Sequence, residues 1–295
     1  MNKGTARIFR AFAFFTSFAF LAAAYSFIET RLFKINRVKI NNNGIKILHI
    51  SDIHLFPHQK RKLKFIRKLK KEELDFIICT GDSISSNNAI NCLIDTMRDA
   101  GFDKIPGAFV LGSNDYFAPK ISNPFQYFFG PSSRKSNYTD KKRLDTKRLI
   151  AGLEFLGWRF AEETQFEIKI KNKKLKIAGS FDYHFKKNSD IKNILENSKG
   201  KNEITIGITH APYLEALKPF LENNTNFLFA GHTHGSQIRL PKIGALVTNS
   251  DIPKDKASGV FQMENSIVSI SEGLGTSAYF PFRFLCRPAV TILEI

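Results

Sequence analysis

With 295 residues, of which 43% are hydrophobic and 24% charged, the chain has the composition of a folded protein with a substantial core. Its three cysteines are odd in number and lack C-x-x-C spacing, which argues against a disulfide framework or a cysteine metal site. The 44 lysines and arginines against 27 acidic residues give a net charge of +17. Such an excess favours anionic partners: nucleic acid, acidic lipid headgroups or phosphorylated substrates.

Residues 1–40 predict a basic segment, a hydrophobic anchor and a linker. Residues 11–28 carry no charge, and Lys3, Arg7 and Arg10 precede them. This length is close to the roughly 20 apolar residues that span a bilayer. We expect an uncleaved anchor at the cell membrane, with the following domain outside the cytoplasm. The alternative is a secretory signal peptide that has residues 22–24 as its small-residue cleavage site.

Residues 41–295 are expected to form one α/β domain. Strand-like runs at 45–50, 76–79 and 108–111 alternate with helix candidates at 58–71 and 87–99, which is typical of a parallel sheet covered on both faces. The later strand candidates lie at 166–170, 175–179, 203–208, 226–230, 245–248, 266–270 and 290–294. Their close spacing indicates a second sheet that packs face to face against the first, with helices outside.

Two connecting segments have unusual compositions. Residues 60–71 contain eight basic residues in twelve, which indicates either a solvated helix face or a contact with anionic lipid. Residues 117–140 form a long connection rich in Phe, Pro, Ser and Asn, and such loops are usually functional or disordered. Its aromatic side chains either cap the core locally or admit a lipid-linked substrate.

Side chains that bind transition metals follow five of the strand candidates. Because the carboxyl ends of neighbouring strands converge at one edge of an open sheet, we expect these residues to form one site. Two divalent ions about 3.5–4 Å apart need a shared carboxylate and several ligands each. The candidates are Asp52, His54 and His234 for one metal, His210, His232 and an amide oxygen for the other, and Asp82 as the bridge. Mixed histidine and carboxylate ligands favour Mn, Fe or Zn.

In their order and spacing, these motifs resemble the calcineurin-like metallophosphoesterases, specifically the membrane-anchored or exported bacterial branch. The matching stretches are 49–55 (HISDIHL), 80–82 (TGD), 111–116 (LGSNDY), 209–212 (THAP), 231–238 (GHTHGSQI) and the turn at 273–275 followed by Arg283. The resemblance implies a four-layer α/β/β/α sandwich and a dinuclear site with the ligand roles given above. It also implies in-line attack of a metal-bound hydroxide on phosphorus.

The third motif departs from the family pattern. The family usually reads Gly-Asn-His-Asp, in which Asn binds a metal and His steadies the phosphate or protonates the leaving group. This chain reads Gly112-Ser113-Asn114-Asp115. We expect Asn114 to be the ligand, because an amide oxygen coordinates a divalent ion better than the neutral hydroxyl of Ser113. Without the usual acid, the enzyme would act on good leaving groups such as pyrophosphates or use another acid, for which Asp115 and His184 are candidates.

We therefore expect a metal-dependent phosphoesterase that hydrolyses phosphodiester or pyrophosphate bonds of a phosphorylated small-molecule or lipid-linked substrate at an anionic membrane surface. Arg283 is a candidate bidentate clamp on the substrate phosphate, with a surface salt bridge as the alternative. A nuclease or cyclic-nucleotide phosphodiesterase is a second interpretation, although the basic residues are dispersed and no recognisable nucleic-acid-binding module is present. A third is a metal-holding but inactive protein that senses phospholipid.

Overall fold

The computed structural model describes residues 3–41, 44–119, 141–185, 191–195, 203–277 and 280–295. Its helices are α1 (Lys3–Glu29), α2 (Lys60–Lys68), α3 (Ala89–Asp99), α4 (Ser113–Tyr116), α5 (Thr146–Phe155), α6 (Ile191–Leu195) and α7 (Leu214–Glu222). Its strands are β1 (Lys34–Lys39), β2 (Lys46–Ile50), β3 (Phe76–Cys79), β4 (Gly107–Phe109), β5 (Trp158–Phe160), β6 (Thr164–Ile170), β7 (Lys173–Gly179), β8 (Glu203–Ile208), β9 (Phe227–Ala230), β10 (Arg239–Leu240), β11 (Gly244–Ala245), β12 (Gly259–Met263), β13 (Ser266–Ile270) and β14 (Ala289–Glu294).

The strands form two six-stranded sheets and one short hairpin. The first sheet has the order β1-β14-β2-β3-β4-β5, with β2 to β5 parallel, as the sequence predicts. The second has the order β12-β13-β9-β8-β7-β6, in which β7, β8, β9 and β13 run parallel and the outer strands antiparallel. Strands β10 and β11 pair with each other outside both sheets.

Alternating apolar side chains along each central strand bury both faces of both sheets. On β2, Leu48 contributes to a core cluster shared with α2, α3 and α5, whereas Ile47 contributes to the cluster between the sheets. On β9, Phe229 faces that inter-sheet cluster, and Leu228 packs in a third cluster with α6 and α7. This period of two follows from strand geometry, and it builds the predicted four-layer α/β/β/α sandwich.

The structure differs from the sequence predictions in several strands, and β5, β10 and β12 have no counterpart among the strand candidates. Residues 34–39, predicted as linker, form an edge strand parallel to β14, because Ile35 and Val38 reach core clusters on opposite faces. The last strand, β14, lies in the first sheet, antiparallel to β2, rather than in the second. The candidate at 245–248 is reduced to the two-residue strand β11. Most of the aromatic connection, residues 120–140, lies outside the described residues.

Helix α1 ends against the domain. Its segment Phe12–Glu29 is long and apolar enough to cross a membrane, and a signal sequence meets the same criterion. The apolar side chains of Phe12 and Phe20 are exposed. At its end, the Ser26 carbonyl accepts a hydrogen bond from the Arg283 backbone N–H at 3.0 Å. Residues 30–33 connect the helix directly to β1 at the edge of the first sheet.

Candidate metal centre

The candidate ligands lie where five parallel strands end, at one edge of the two sheets. Asp52 and His54 follow β2, Asp82 follows β3, Asn114 follows β4, His210 follows β8, and His232 and His234 follow β9. Backbone hydrogen bonds join neighbouring loops, from Asp52 N–H to the Gly81 carbonyl at 2.9 Å and from Gly231 N–H to the His210 carbonyl at 2.8 Å. The two sheets thus bring residues that are distant in sequence into one cluster.

One group of potential ligands contains Asp52, His54 and His234, whose ligand atoms all lie within 4.8 Å of one another. His234 Nε2 is 3.5 Å from Asp52 Oδ1 and 3.2 Å from His54 Nε2. Burial is the main cause that lowers the pKa of His54 to about 4 and that of His234 well below its usual value. Both imidazoles are therefore neutral near pH 7, which is the form that binds metal.

A second group contains Asp52, Asp82 and His210, also within 4.8 Å. Asp82 Oδ2 lies 3.4 Å from His210 Nε2 and 3.4 Å from His54 Nε2. This carboxylate oxygen is thus equidistant from a histidine of each group. Its position is the one that a ligand shared by two ions requires.

The histidine of the second group fits a metal. His210 Nδ1 lies 2.7 Å from the Thr80 carbonyl oxygen, which can only accept, so Nδ1 carries the proton. Its buried Nε2 makes no close hydrogen bond within the described residues and lies 3.4 Å from Asp82 Oδ2. A backbone carbonyl that fixes the tautomer and leaves the other nitrogen open is the usual support of a metal-binding histidine.

The charges of this group also fit a cation. Burial raises the pKa of Asp52 to about 6. Burial opposes ionisation of Asp82 as well, but the charge of His210 holds the pKa of Asp82 well below its usual value. Conversely, despite burial, the charge of Asp82 raises the pKa of His210 well above its ordinary value. The buried carboxylates therefore attract positive charge, which divalent ions would supply in place of the proton.

Strained backbone accompanies the ligands. Five of them have a left-handed φ, with values of 47° at Asp52, 43° at His54, 52° at Asp82, 68° at His232 and 50° at His234. For residues with a Cβ this conformation costs about 1–3 kcal/mol each, and it persists where the surrounding fold imposes it. Such a concentration of strain on predicted ligands is typical of a functional site.

Asn114 lies against the central carboxylate. Its backbone N–H donates to Asp82 Oδ1 at 2.8 Å, and its side-chain amide nitrogen donates to Asp82 Oδ2 at 2.7 Å. The preceding residue, Ser113, begins the short helix α4. The structure thus brings the Asn114 amide next to the cluster, and the choice of Asn114 over Ser113 as a ligand stays a prediction.

Asp115 faces backbone rather than the metal groups. It is completely buried, and its carboxylate accepts hydrogen bonds from the N–H groups of Ser83 at 2.7 Å, Ile84 at 3.2 Å and Gly112 at 3.1 Å. Burial, followed by the charge of Asp82, raises its pKa to about 7. These contacts favour a role in holding two ligand loops together, and the predicted role of Asp115 as an acid stays untested.

His232 and His184 lie on the second-sheet side of the cluster. The ring of His232 lies 5.3 Å from that of His210 and 4.6 Å from that of His184, measured between centroids. His184 Nδ1 is 2.7 Å from Asp182 Oδ1. Burial alone would raise the pKa of Asp182, but the charge of His184 holds this pKa below its usual value. Asp182 therefore fixes the imidazole of His184 next to His232, a predicted metal ligand.

Arg283 is directed at loop carbonyls. It is completely buried, and Nη2 donates to the carbonyl oxygens of Glu272 and Gly275, both at 2.6 Å. Nη1 donates to the Cys286 carbonyl at 3.1 Å and lies 3.4 Å from that of His234. This geometry favours a role for Arg283 in supporting the His234 loop rather than in an open anion site. Because Arg283 is completely buried, the alternative of a surface salt bridge is wrong. The phosphate clamp stays a prediction.

The sequence did not indicate two further polar contacts. Lys62, from the basic run of α2, is 5% exposed, and its ammonium donates to the Ile53 carbonyl and to Gln59 Oε1. Asn249 contacts His232, with its carbonyl oxygen 3.1 Å from Nε2. Within a run of basic residues, Lys62 looks like one more solvated charge, and Asn249 has no motif around it. Only the fold identifies either residue.

The sequence model for calcineurin-like phosphoesterases matches residues 45–236. Two Bacillus subtilis (strain 168) proteins are similar to most of the chain. The uncharacterized metallophosphoesterase YkuE is 25% identical over 260 residues, covering 86% of this chain and 79% of YkuE. The uncharacterized metallophosphoesterase YkoQ is 24% identical over 280 residues, covering 90% and 92% of the two chains.

Solved structures with similar arrangements share little sequence. An archaeal phosphodiesterase has a TM-score of 0.39 at 10% identity and covers 78% of this chain and 84% of its own. A dimetal phosphatase from Danio rerio has a TM-score of 0.43 at 12% identity, with coverages of 79% and 88%.

Proposed function

The chain belongs to the calcineurin-like phosphoesterase family, and from this we propose that it hydrolyses phosphodiester or pyrophosphate bonds of a membrane-associated substrate with two divalent metal ions. The observation that carries the proposal is the pair of buried ligand groups, Asp52–His54–His234 and Asp52–Asp82–His210. Buried carboxylates and neutral imidazoles at this spacing are costly without a cation. They therefore support a metal centre rather than a structural ion-pair network.

The ligands divide between two ions. Asp52, His54 and His234 would hold one; His210, His232 and the Asn114 amide oxygen would hold the other; and Asp82 would be shared. The 3.4 Å distances from Asp82 to His54 and to His210 support the shared role. Mixed nitrogen and oxygen ligands favour Mn, Fe or Zn. Such a pair, when bound, supplies Lewis acidity at the phosphoryl oxygens and a reactive water at neutral pH.

Hydrolysis of an ester whose leaving oxygen is strongly basic also requires a proton at that oxygen. The water oxygen bonds to phosphorus and gives up a proton, while the bond between phosphorus and the leaving oxygen breaks and the leaving oxygen takes a proton from the acid. We propose His184 as the donor, because Asp182 holds its ring 4.6 Å from the ring of His232. Asp115 is the less supported candidate, since its oxygens already accept three backbone hydrogen bonds.

A comparison of leaving groups tests this acid. General acids contribute about 10²–10⁴-fold, and most where the leaving oxygen is strongly basic. His184→Gln should therefore slow hydrolysis of an alkyl phosphodiester by at least about 100-fold and that of a p-nitrophenyl ester much less. If His184→Gln and Asp115→Asn both hydrolyse the alkyl ester at the wild-type rate, no recruited acid acts, and activated substrates such as pyrophosphates become the alternative.

The central experiment is metal-dependent turnover. The full chain in neutral detergent is stripped with EDTA, resupplied with Mn and assayed on bis-p-nitrophenyl phosphate. Activity should return in the wild type and be lost in Asp82→Asn. Asp95→Asn, which changes an exposed carboxylate of α3, should behave as wild type. Full activity of Asp82→Asn, with bound metals unchanged, would contradict the shared-ligand role.

A phospholipid sensor is the second candidate, favoured by Ser113 and Asn114 standing where the family has Asn and His. In that case the wild type would bind Mn but hydrolyse neither bis-p-nitrophenyl phosphate nor a lipid pyrophosphate. Turnover of the pyrophosphate alone would instead indicate an enzyme confined to activated substrates. The same preparation thus separates the two functions.

We further propose that α1 is an uncleaved anchor that holds the domain outside the cytoplasm. The exposed apolar side chains of Phe12 and Phe20 support the anchor, as does the contact of Ser26 with Arg283 at the end of the helix. Mass spectrometry of the membrane-extracted protein should detect the intact N-terminus, and protease added to intact spheroplasts should degrade the domain. A chain that begins near residue 25 would show that a signal peptide had been removed.

A further inference from the structure

A cavity of about 700 Å³ lies between the end of α1 and the metal centre. Phe27, Thr30 and Arg31, from the end of α1 and the residues after it, line one wall. The predicted metal ligand His54 lines the same cavity, together with the beginning of α2 and the loop after Gly273. Its volume is in the range of small-molecule sites, which is about 300–1,000 Å³. The helix that resembles a membrane anchor therefore also borders the candidate active site.

The lining is cationic. Arg31, Lys60, Arg61 and Lys62 all contribute, and no carboxylate does so among the described residues. Lys62 is the buried member of this set, and its ammonium donates to the Ile53 carbonyl and to Gln59 Oε1. Together these groups favour an anion, bound directly beside a metal ligand.

The same cavity has an aromatic wall. Phe27, Phe33 and Phe56 line it, and the guanidinium of Arg31 stacks over the Phe27 ring at 4.1 Å. Phe27 is 41% exposed, and the apolar exposed surface continues along α1 to Leu21 and beyond. An apolar path thus runs from the outer surface of the helix to the cationic lining.

The length of α1 determines where this cavity would lie in a membrane. At the helical rise of about 1.5 Å per residue, the apolar segment Phe12–Glu29 measures ~27 Å, close to the ~30 Å hydrocarbon core of a bilayer. Thr30 and Arg31 would then lie at the level of the lipid headgroups. A membrane lipid could reach the cavity sideways, with its chains still in the bilayer.

We propose that this cavity binds the phosphorylated head of an anionic membrane lipid, and that the end of α1 is one wall of the substrate site. The basic residues contact the head, the aromatic wall holds the first part of the hydrocarbon, and the scissile phosphorus faces the His54 side of the metal centre. This inference rests on the proposed phosphoesterase function. It makes α1 a part of the site as well as an attachment.

Two phosphodiesters that differ only in a hydrocarbon chain test the inference: methyl p-nitrophenyl phosphate and dodecyl p-nitrophenyl phosphate. The full chain is assayed in neutral detergent with Mn, and the measured quantity is the ratio of kcat/KM for the dodecyl ester to that for the methyl ester. We expect a ratio of at least about 10 in the wild type, because this factor corresponds to about 1.4 kcal/mol, less than the burial of two CH₂ groups contributes.

Two variants with matched controls locate the effect. Phe27→Ser should lower the ratio several-fold, because it removes part of the apolar wall. Lys60→Gln should instead lower kcat/KM several-fold for both esters alike, because it removes a charge that faces the phosphate they share. Phe155→Ser, at an exposed Phe of α5, and Lys68→Gln, at an exposed Lys of α2, lie outside the cavity lining and should keep the wild-type ratio and the wild-type kcat/KM values. Lys60 is itself exposed, so its variant folds even if Phe27→Ser does not.

The outcomes separate the two proposals. If the wild type hydrolyses neither ester with Mn, the proposed phosphodiesterase function fails. If it hydrolyses both esters with a ratio near one, or if Phe27→Ser leaves the ratio and Lys60→Gln leaves both kcat/KM values unchanged, the lipid site at α1 is wrong while the enzymatic function stands. A lower ratio in Phe27→Ser, or a lower kcat/KM for both esters in Lys60→Gln, without the same change in the matched control, supports the site.

Discussion

Gly231, between β9 and His232, packs directly on the first ligand loop. A Cβ added at this position would lie 2.0 Å from Ser51 Oγ and 2.4 Å from Asp52 Oδ2. The φ of Gly231 is outside the left-handed range, so an alanine would add no backbone strain and act only through space. Gly231→Ala therefore tests whether close packing of the two loops sets the geometry of the metal centre.

The magnitude follows from the displacement. Ordinary van der Waals contact requires Ser51 and Asp52 to move by more than about 1 Å, and a misplacement of that size in a catalytic group costs about 100-fold in rate. This is about 2.7 kcal/mol of activation free energy. Overpacking would also lower the free energy of unfolding by about 1–3 kcal/mol. The assay is kcat for bis-p-nitrophenyl phosphate with saturating Mn, together with Tm.

Gly157→Ala is the matched control. Gly157 has a φ of 82° and open space around the added Cβ, so alanine there costs about 1–2 kcal/mol of stability without approaching the ligands. Its kcat should stay at the wild-type value while Tm falls. If Gly231→Ala also keeps kcat within about twofold, with metal content unchanged, the contact between Gly231 and Asp52 does not control the site.

Three further predictions concern stability and the roles of buried groups. Burial lowers the pKa of His49 to about 3, so this residue stays neutral in the fold and stability falls as pH drops below 6.5. We would measure the free energy of unfolding in urea, with EDTA present, as a function of pH. Between about pH 6 and pH 4, His49→Gln should reduce the slope of this free energy against pH by up to about 1.4 kcal/mol per pH unit. An unchanged slope would show that His49 does not titrate in this way. EDTA should lower Tm and Mn should restore it, because a ligand that binds only the folded state adds about 4 kcal/mol to the free energy of unfolding when its concentration is 1,000 times Kd. His210→Ala should reduce the gain in Tm from Mn, and a gain equal to that of the wild type would exclude His210 as a ligand. Arg283→Lys should lower Tm by leaving buried carbonyls unpaired, whereas a raised KM at unchanged Tm would instead favour the phosphate clamp.

The layers of the fold were predictable because each depends on a local pattern. Apolar runs that alternate between two buried faces, such as Ile47 and Leu48, encode a strand between two layers whatever lies elsewhere in the chain. Strand β1 carries a mixed basic and apolar sequence, and its hydrogen bonds depend on β14 at the other end of the chain. No local pattern in residues 34–39 indicates that β14 is their partner, so the sequence predicts a linker there.

The site divides in the same way. Short motifs at strand ends specified the ligand types, and parallel strands place those ends at one edge, so the cluster of Asp52, Asp82 and His210 was expected before its distances were known. The roles of Asp115 and Arg283 were not accessible from motifs. Their charged groups are directed at backbone N–H and carbonyl groups of other loops, which only the tertiary structure brings within hydrogen-bonding distance.

By itself, therefore, the sequence determined the family resemblance and the four layers, and it predicted a ligand set, because each depends on short motifs or local patterns along the chain. Only the tertiary structure decided that Lys62 is buried within a run of solvated charges, and that Phe27 and Arg31 border the same cavity as His54. Whether a side chain meets solvent, backbone or a cavity depends on elements far apart in sequence, and folding alone brings those elements together.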